Sequence, residues 1–117
     1  MKKHVKLSLT DRNVESLLVL GANVATAMKS NAKFPAPPVA ITVLGDAVNT
    51  LVGFHNTAEN TKSKQDFAKE RAQVVVVEDM LRDLGNYVEM IAKGDEQVIL
   101  NAGMPVSKNP ESQPDLS

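Results

Sequence analysis

Apolar residues recur at intervals of three and four positions along most of the chain, which is the spacing of one buried face on an α-helix. The first run of this kind comprises Val14, Leu17, Leu18, Gly21, Val24, Ala25 and Met28. Thr10 can cap the helix, and Asp11 suits the positive end of its dipole. The pattern therefore predicts a first helix over residues 11–30. Because glycine disfavours a helix interior, Gly21 within the apolar face predicts a close approach of another helix.

The proline-rich segment KSNAKFPAPPV ends this helix, since proline cannot continue a helix interior. It also introduces the next one, because Pro37 or Pro38 suits a first helical turn, where no backbone N–H is needed. The apolar run that follows comprises Ile41, Leu44, Val48, Leu51, His55 and Ala58. We predict a second helix over residues 38–59, followed by a polar turn.

The stretch QVVVVEDMLRDLG, residues 73–85, allows two interpretations. Its valines could form a buried strand that presents Glu78 and Asp79 to a metal ion or a phosphate. However, a heptad run passes through the stretch and is broken only by Glu70; it comprises Phe67, Val74, Val77, Leu81, Leu84, Val88 and Ile91. The heptad favours a long helix over residues 61–93, in which Glu78 is spaced for an ion pair with Arg82.

After a glycine, Asp95 and Glu96 are suited to begin a short fourth helix over residues 95–102, which Gly103 and Pro105 end. The pattern as a whole predicts an all-α fold, an up-down-up three-helix bundle with a short C-terminal fourth helix. Residues 1–106 are predicted to form a single helical domain. The proline-rich, polar residues 107–117 are predicted to form a flexible tail.

Composition narrows the functional classes. The 117 residues carry a net charge of −1, which gives no global attraction to nucleic acid or to an anionic membrane. The chain has no cysteine, so disulfides and thiol nucleophiles are excluded. No signal peptide is recognised at the N-terminus, and no window approaches the ~20 apolar residues of a membrane span. The expected location is therefore the cytoplasm.

Residues that could carry catalysis are few. Asp79 or Asp83 could serve an acidic-site phosphoacceptor or a small metal-dependent enzyme, but such sites draw further acids and a lysine from several strands. The only histidines are His4 and His55, without the spacing of a metal motif, and His55 is predicted to be a partly buried core residue. We therefore predict a non-enzymatic protein with no catalytic residue, metal site or cofactor.

The remaining charged feature is a cluster of basic residues near the N-terminus. Lys2, Lys3, Lys6 and Arg12 could contact nucleic acid, yet aromatic residues that would stack on bases are absent there and make up 3% of the chain. The sequence favours a solvated terminus and keeps nucleic-acid binding as an alternative.

The chain also holds more apolar side chains than one narrow seam of a three-helix bundle requires. The surplus comprises Val52, Phe54, Val75, Val76, Met80, Tyr87 and Met90. These side chains either complete the core or form an interaction surface for a protein partner, which would be a second copy or another protein. We predict a role in protein-protein interaction or as a structural accessory component.

Two segments, KFPAPPV and YVEMIAKGDEQVILNAGMPVSKNP, resemble the helical N-terminal region of bacterial, Bacteroidetes-type proteins that contain a fibronectin type III domain. The resemblance covers residues 8–110 and implies the same order of helices, with a Phe-Pro-x-Pro-Pro link and a Gly-Asp-Glu turn. It also implies a binding or scaffolding role, by association with an adhesive module. The β-sandwich that follows in those proteins is not part of this sequence.

Overall fold

The computed structural model describes residues 3–9, 12–29 and 31–107. Most of these residues lie in four α-helices. The helices are Val14–Met28 (α1), Ile41–Thr61 (α2), Lys64–Ala92 (α3) and Glu96–Asn101 (α4). The predicted all-α fold and the short C-terminal helix are confirmed, and residues 73–85 lie within α3. None of these helices has the length and apolar character needed to cross a membrane. Residues 108–117 of the predicted tail lie outside the described residues.

Capping side chains place the first helix later than predicted. Asn13 caps α1, because its side-chain oxygen accepts a hydrogen bond from Ser16 N at 2.8 Å. Residues 12 and 13 are therefore not helical, and α1 begins at Val14. Thr10 and Asp11, which were predicted to begin the helix, lie outside the described residues.

The second and third helices also begin later than predicted. Ala40 precedes α2 and makes no side-chain cap, so Pro37 and Pro38 lie in the link and the prediction that one of them occupies the first turn is wrong. Ser63 caps α3 by accepting a hydrogen bond from Asp66 N at 3.0 Å. Hydrogen bonds from Thr61 and Ser63 in turn lower the pKa of Asp66, because they stabilise its carboxylate.

The three long helices run up, down and up. The α2 helix packs against both α1 and α3. Gly21 of α1 faces Val48 of α2, and Gln73 of α3 donates a hydrogen bond to the Ala47 carbonyl at 3.0 Å. The core between the helices contains the largest fully buried side chains, which are Leu17, Met28, Leu44, Leu51, Leu81, Leu84, Ile99, Met104, Val24, Val77 and Val88.

The predicted close approach at Gly21 is present. A Cβ atom at this position would lie 2.7 Å from Cγ2 of the buried Val48. We expect Gly21→Ala to lower the free energy of unfolding by about 1 to 2 kcal/mol, because overpacking outweighs the roughly 1 kcal/mol gain in helix propensity. In a Val48→Ala background, the same change should instead stabilise the protein. Urea unfolding curves followed by circular dichroism would test this reversal, and equal losses in both backgrounds would contradict it.

Residues 3–9 pack on the helices through Val5, Leu7 and Leu9, while Lys6, one of the basic residues predicted to be solvated, is exposed. Val5 and Val106 form an antiparallel bridge, flanked by hydrogen bonds from Lys6 N to the Pro105 carbonyl (3.0 Å) and from Ser107 N to the His4 carbonyl (2.8 Å). On the α3 side, the carboxylate of Glu89 accepts a hydrogen bond from the backbone N–H of Val5. The first segment of the chain is thus held between α3 and the segment that follows α4.

A glycine closes the turn after α4. Gly103 has φ +76°, in the left-handed region that favours glycine, and a Cβ atom there would lie 2.7 Å from the backbone oxygen of Asn23. Nearby, Asn31 Nδ2 donates a hydrogen bond to Asn101 Oδ1 at 2.8 Å. These contacts fix α4 against the C-terminal half of α1.

Candidate interaction surface

The α3 helix carries two rows of side chains at heptad spacing, offset by one residue. The inner row faces the core and is fully buried; it consists of Val77, Leu81, Leu84 and Val88, each 0% exposed. The outer row consists of Val76, Met80, Asp83, Tyr87 and Met90. One residue corresponds to a rotation of about 100° around the helix, so the outer row lies on the flank of α3. The link between α1 and α2 crosses α3 on this flank, at Tyr87.

Exposure divides the outer row. Val76 is 40% exposed and Met90 is 63% exposed, whereas Met80 and Tyr87 are half-buried and pack against the core. The Tyr87 hydroxyl accepts a hydrogen bond from Ala36 N at 3.0 Å, and its ring lies 6.2 Å from that of Phe34. Tyr87 therefore holds the link between α1 and α2 through its hydroxyl, and the exposed part of its side chain contributes to the surface.

A surface depression lies between the outer row and the link that joins α1 to α2. Its lining is largely apolar and comprises Ala36, Pro38, Asp83, Asn86, Tyr87 and Met90. The exposed apolar positions of α3 thus lie beside a concave surface, the shape that receives a side chain or a helix of a partner.

The other predicted surface residues do not join this row. Phe54 is half-buried and Val52 is exposed, and because they are two positions apart they point about 160° apart around α2. Val75 is exposed and points about 100° away from Val76. The structure therefore brings together Val76 and three of the other predicted residues, and places Val52 and Val75 on different surfaces.

Three further exposed apolar side chains were absent from the sequence prediction, namely Val19, Val43 and Leu100. Val43 is exposed on α2, one helical turn before Ala47. Its position outside the apolar run of α2 was the signal that could have revealed it. Val19 and Leu100 lie on other helices, and single exposed apolar residues of this kind are common.

Two exposed charged side chains lie on the flank of α3 that carries the outer row. Asp83 is exposed within the outer row, and Lys69 is exposed seven positions before Val76. Neither belongs to an ion pair among residues 3–9, 12–29 and 31–107. Lys69 attracts the Asp66 carboxylate without forming an ion pair with it, and both Lys69 and Asp83 are exposed to solvent, where a partner can pair with them.

The acids of the VVVVED stretch are placed differently from the prediction. Asp79, rather than Glu78, pairs with Arg82, with 2.8 Å between Oδ1 and the guanidinium, so the predicted Glu78–Arg82 pair is wrong. Within the described part of the chain, no group of three or more histidine, aspartate or glutamate side chains is arranged to hold a metal ion.

A buried polar pair joins α2 to α3. His55 Nδ1 lies 2.5 Å from Glu70 Oε2, and the two side chains are 18% and 9% exposed. His55 is partly buried as predicted, but its partner was missed. The signal was available, because each of these polar residues interrupts the apolar run of its own helix. The pair fixes the alignment of the two helices, since a buried carboxylate needs its partner.

The basic residues of the N-terminal segment have structural contacts. Arg12 Nε donates a hydrogen bond to the Leu7 carbonyl at 2.7 Å, and its Nη1 donates one to Ser16 Oγ at 2.8 Å. Lys3 is half-buried and its backbone N–H donates to the Gly94 carbonyl, while Lys6 is exposed. Lys2 lies outside the described residues.

Comparison of the chain with protein-family models, with curated proteins and with solved structures found no match in any of the three. The resemblance to the helical region of bacterial fibronectin type III proteins therefore stays a prediction.

Proposed function

We propose that this protein acts by binding another protein chain through the outer row of α3, without catalysing a reaction. The observation that carries the proposal is the exposure of Val76 and Met90 in one heptad row with the half-buried Met80 and Tyr87. Covering such side chains removes apolar surface from water, at roughly 25 cal/mol per Å². The proposal places this contact in the cytoplasm.

The row favours a helical partner. From Val76 to Met90 it runs along about 21 Å of α3, at 1.5 Å per residue. An apolar row of this spacing matches the face of an amphipathic helix lying alongside. Asp83, in the middle of the row, favours a partner with a basic side chain at the matching position, because an unpaired carboxylate in a contact is costly. A scaffolding role, as the resemblance implies, agrees with this mode of binding.

Site-specific photo-crosslinking tests the proposal. A benzophenone amino acid is placed at Val76, at Met90 or, as the control, at Val19 of α1, which is 61% exposed. The variants are expressed in the organism that encodes the chain and irradiated. We expect protein adducts from positions 76 and 90 and none from position 19. Equal adducts at all three positions, or none at any, would refute the proposed surface.

A further inference from the structure

We infer that the partner of the outer row is a second copy of this chain, with α3 packed antiparallel against α3 about a two-fold axis at Val76. This inference rests on the proposed binding role of the outer row and specifies its occupant. The charges that flank Val76 favour this occupant and this register.

The outer row continues toward the N-terminus of α3, but its heptad phase changes at Val76, where two steps of four residues meet. The preceding positions are Ala72, Lys69 and Gln65, and all of them are exposed. Steps of four and three residues link these positions to Val76, as they do on its other side. Val76 thus has three exposed row positions before it and four positions after it, and Met90 has no facing position within α3 when the axis lies at Val76.

The row is complementary to itself about Val76. In an antiparallel two-fold contact, residues equally far before and after the axis face each other, and every pair occurs twice. Lys69 and Asp83 are equally distant from Val76, so each lysine meets the aspartate of the other copy. Ala72 meets Met80 in the same way, a small side chain opposite a large one, as knobs-into-holes packing requires.

Other registers lose this match. An axis midway between Val76 and Asp83 sets the carboxylate against a valine, where it has no partner. An axis at Asp83 sets two carboxylates against each other. Lys69 and Asp83 are exposed and make no ion pair in the described part of a single chain, where Lys69 attracts the Asp66 carboxylate without pairing with it, so the register at Val76 gives each of them an ion-pair partner.

Charge reversal tests the register. Lys69→Asp and Asp83→Lys each turn two attractions per dimer into two repulsions, and we expect each to weaken dimerisation about 100-fold in sedimentation equilibrium. An equimolar mixture of the two variants should dimerise again, because the heterodimer regains both opposite-charge pairs. The double variant should also recover the dimer.

Arg71→Asp is the matched control, since Arg71 is an exposed cation of α3 that lies about 140° around the helix from Val76. It should leave the dimer intact, and circular dichroism should show all variants folded. A wild-type chain that stays monomeric at millimolar concentration overturns the inference, as does a mixture that fails to dimerise. If the chain is monomeric but still crosslinks to a different protein at position 76, the proposed binding function is supported and only the inference of a second copy is refuted. The absence of both a crosslinked adduct and a dimer would refute the proposed function and the dimer inference together.

Discussion

His55→Leu is expected to lower the free energy of unfolding by about 3 kcal/mol. The change leaves the Glu70 carboxylate buried without the imidazole that now lies 2.5 Å away. Leaving a buried acceptor without its hydrogen-bond partner typically costs about 1 to 3 kcal/mol, and more when the acceptor is charged. The carboxylate of Glu70 is 9% exposed, so we expect a loss near the upper end of that range. Denaturant unfolding at neutral pH, with the m value fitted separately for each variant, would measure it.

The control for this result is the double replacement His55→Leu/Glu70→Leu. Two apolar side chains leave no buried charge, so the double variant should be more stable than His55→Leu alone, even though it carries one more substitution. Additive losses in the double variant would show that the pair is not coupled. The same comparison tests alignment, because a loss of helix register would appear as a lower m value.

Gly103→Val is expected to cost about 3 kcal/mol. The left-handed conformation at φ +76° opposes any side chain by about 1 to 2 kcal/mol, and the 2.7 Å approach to the Asn23 carbonyl adds an overpacking penalty of about 1 to 3 kcal/mol. The obstacle is backbone, which cannot rotate away. Thermal unfolding would show a fall in the melting temperature of more than about 10 °C.

Gly53→Ala is the matched glycine control. Gly53 lies inside α2, and nothing lies within 4 Å of the Cβ it would acquire. Alanine should therefore stabilise the protein by about 0.5 to 1 kcal/mol, through its higher helix propensity. A loss at Gly103 as small as the change at Gly53 would mean that the turn after α4 yields to a side chain.

The helices could be predicted from sequence because their signal is local and repeated. The heptad from Phe67 to Ile91 identified α3 in spite of its four valines, since burial along a whole face outweighs a few tenths of a kcal/mol per residue in propensity. The ends were less predictable. Several caps were chemically possible at each start, and the choice of Asn13 over Thr10, or of Ser63 over Thr61, depends on the path of the preceding chain.

Contacts between distant segments could not be predicted. The bridge between Val5 and Val106 joins short segments that carry no periodic pattern of their own. The pairing of His55 with Glu70 depends on the relative shift of two helices, which no single helix encodes. A surplus of apolar residues likewise predicted that a surface exists, but only the rotation of α3 distinguishes Val76 from Val75.

The pairing of the two terminal segments also bears on the order of folding. His4 and Ser107 are 103 residues apart in sequence, yet the His4 backbone N–H donates to the Ser107 hydroxyl at 3.1 Å. Closing so long a loop is entropically costly until the intervening chain is compact. The helices α2 and α3 are joined by a short turn, so bringing them into contact costs much less loop-closure entropy. The hairpin of α2 and α3 is therefore expected to form early, and the joined ends are expected to lock last and to open first.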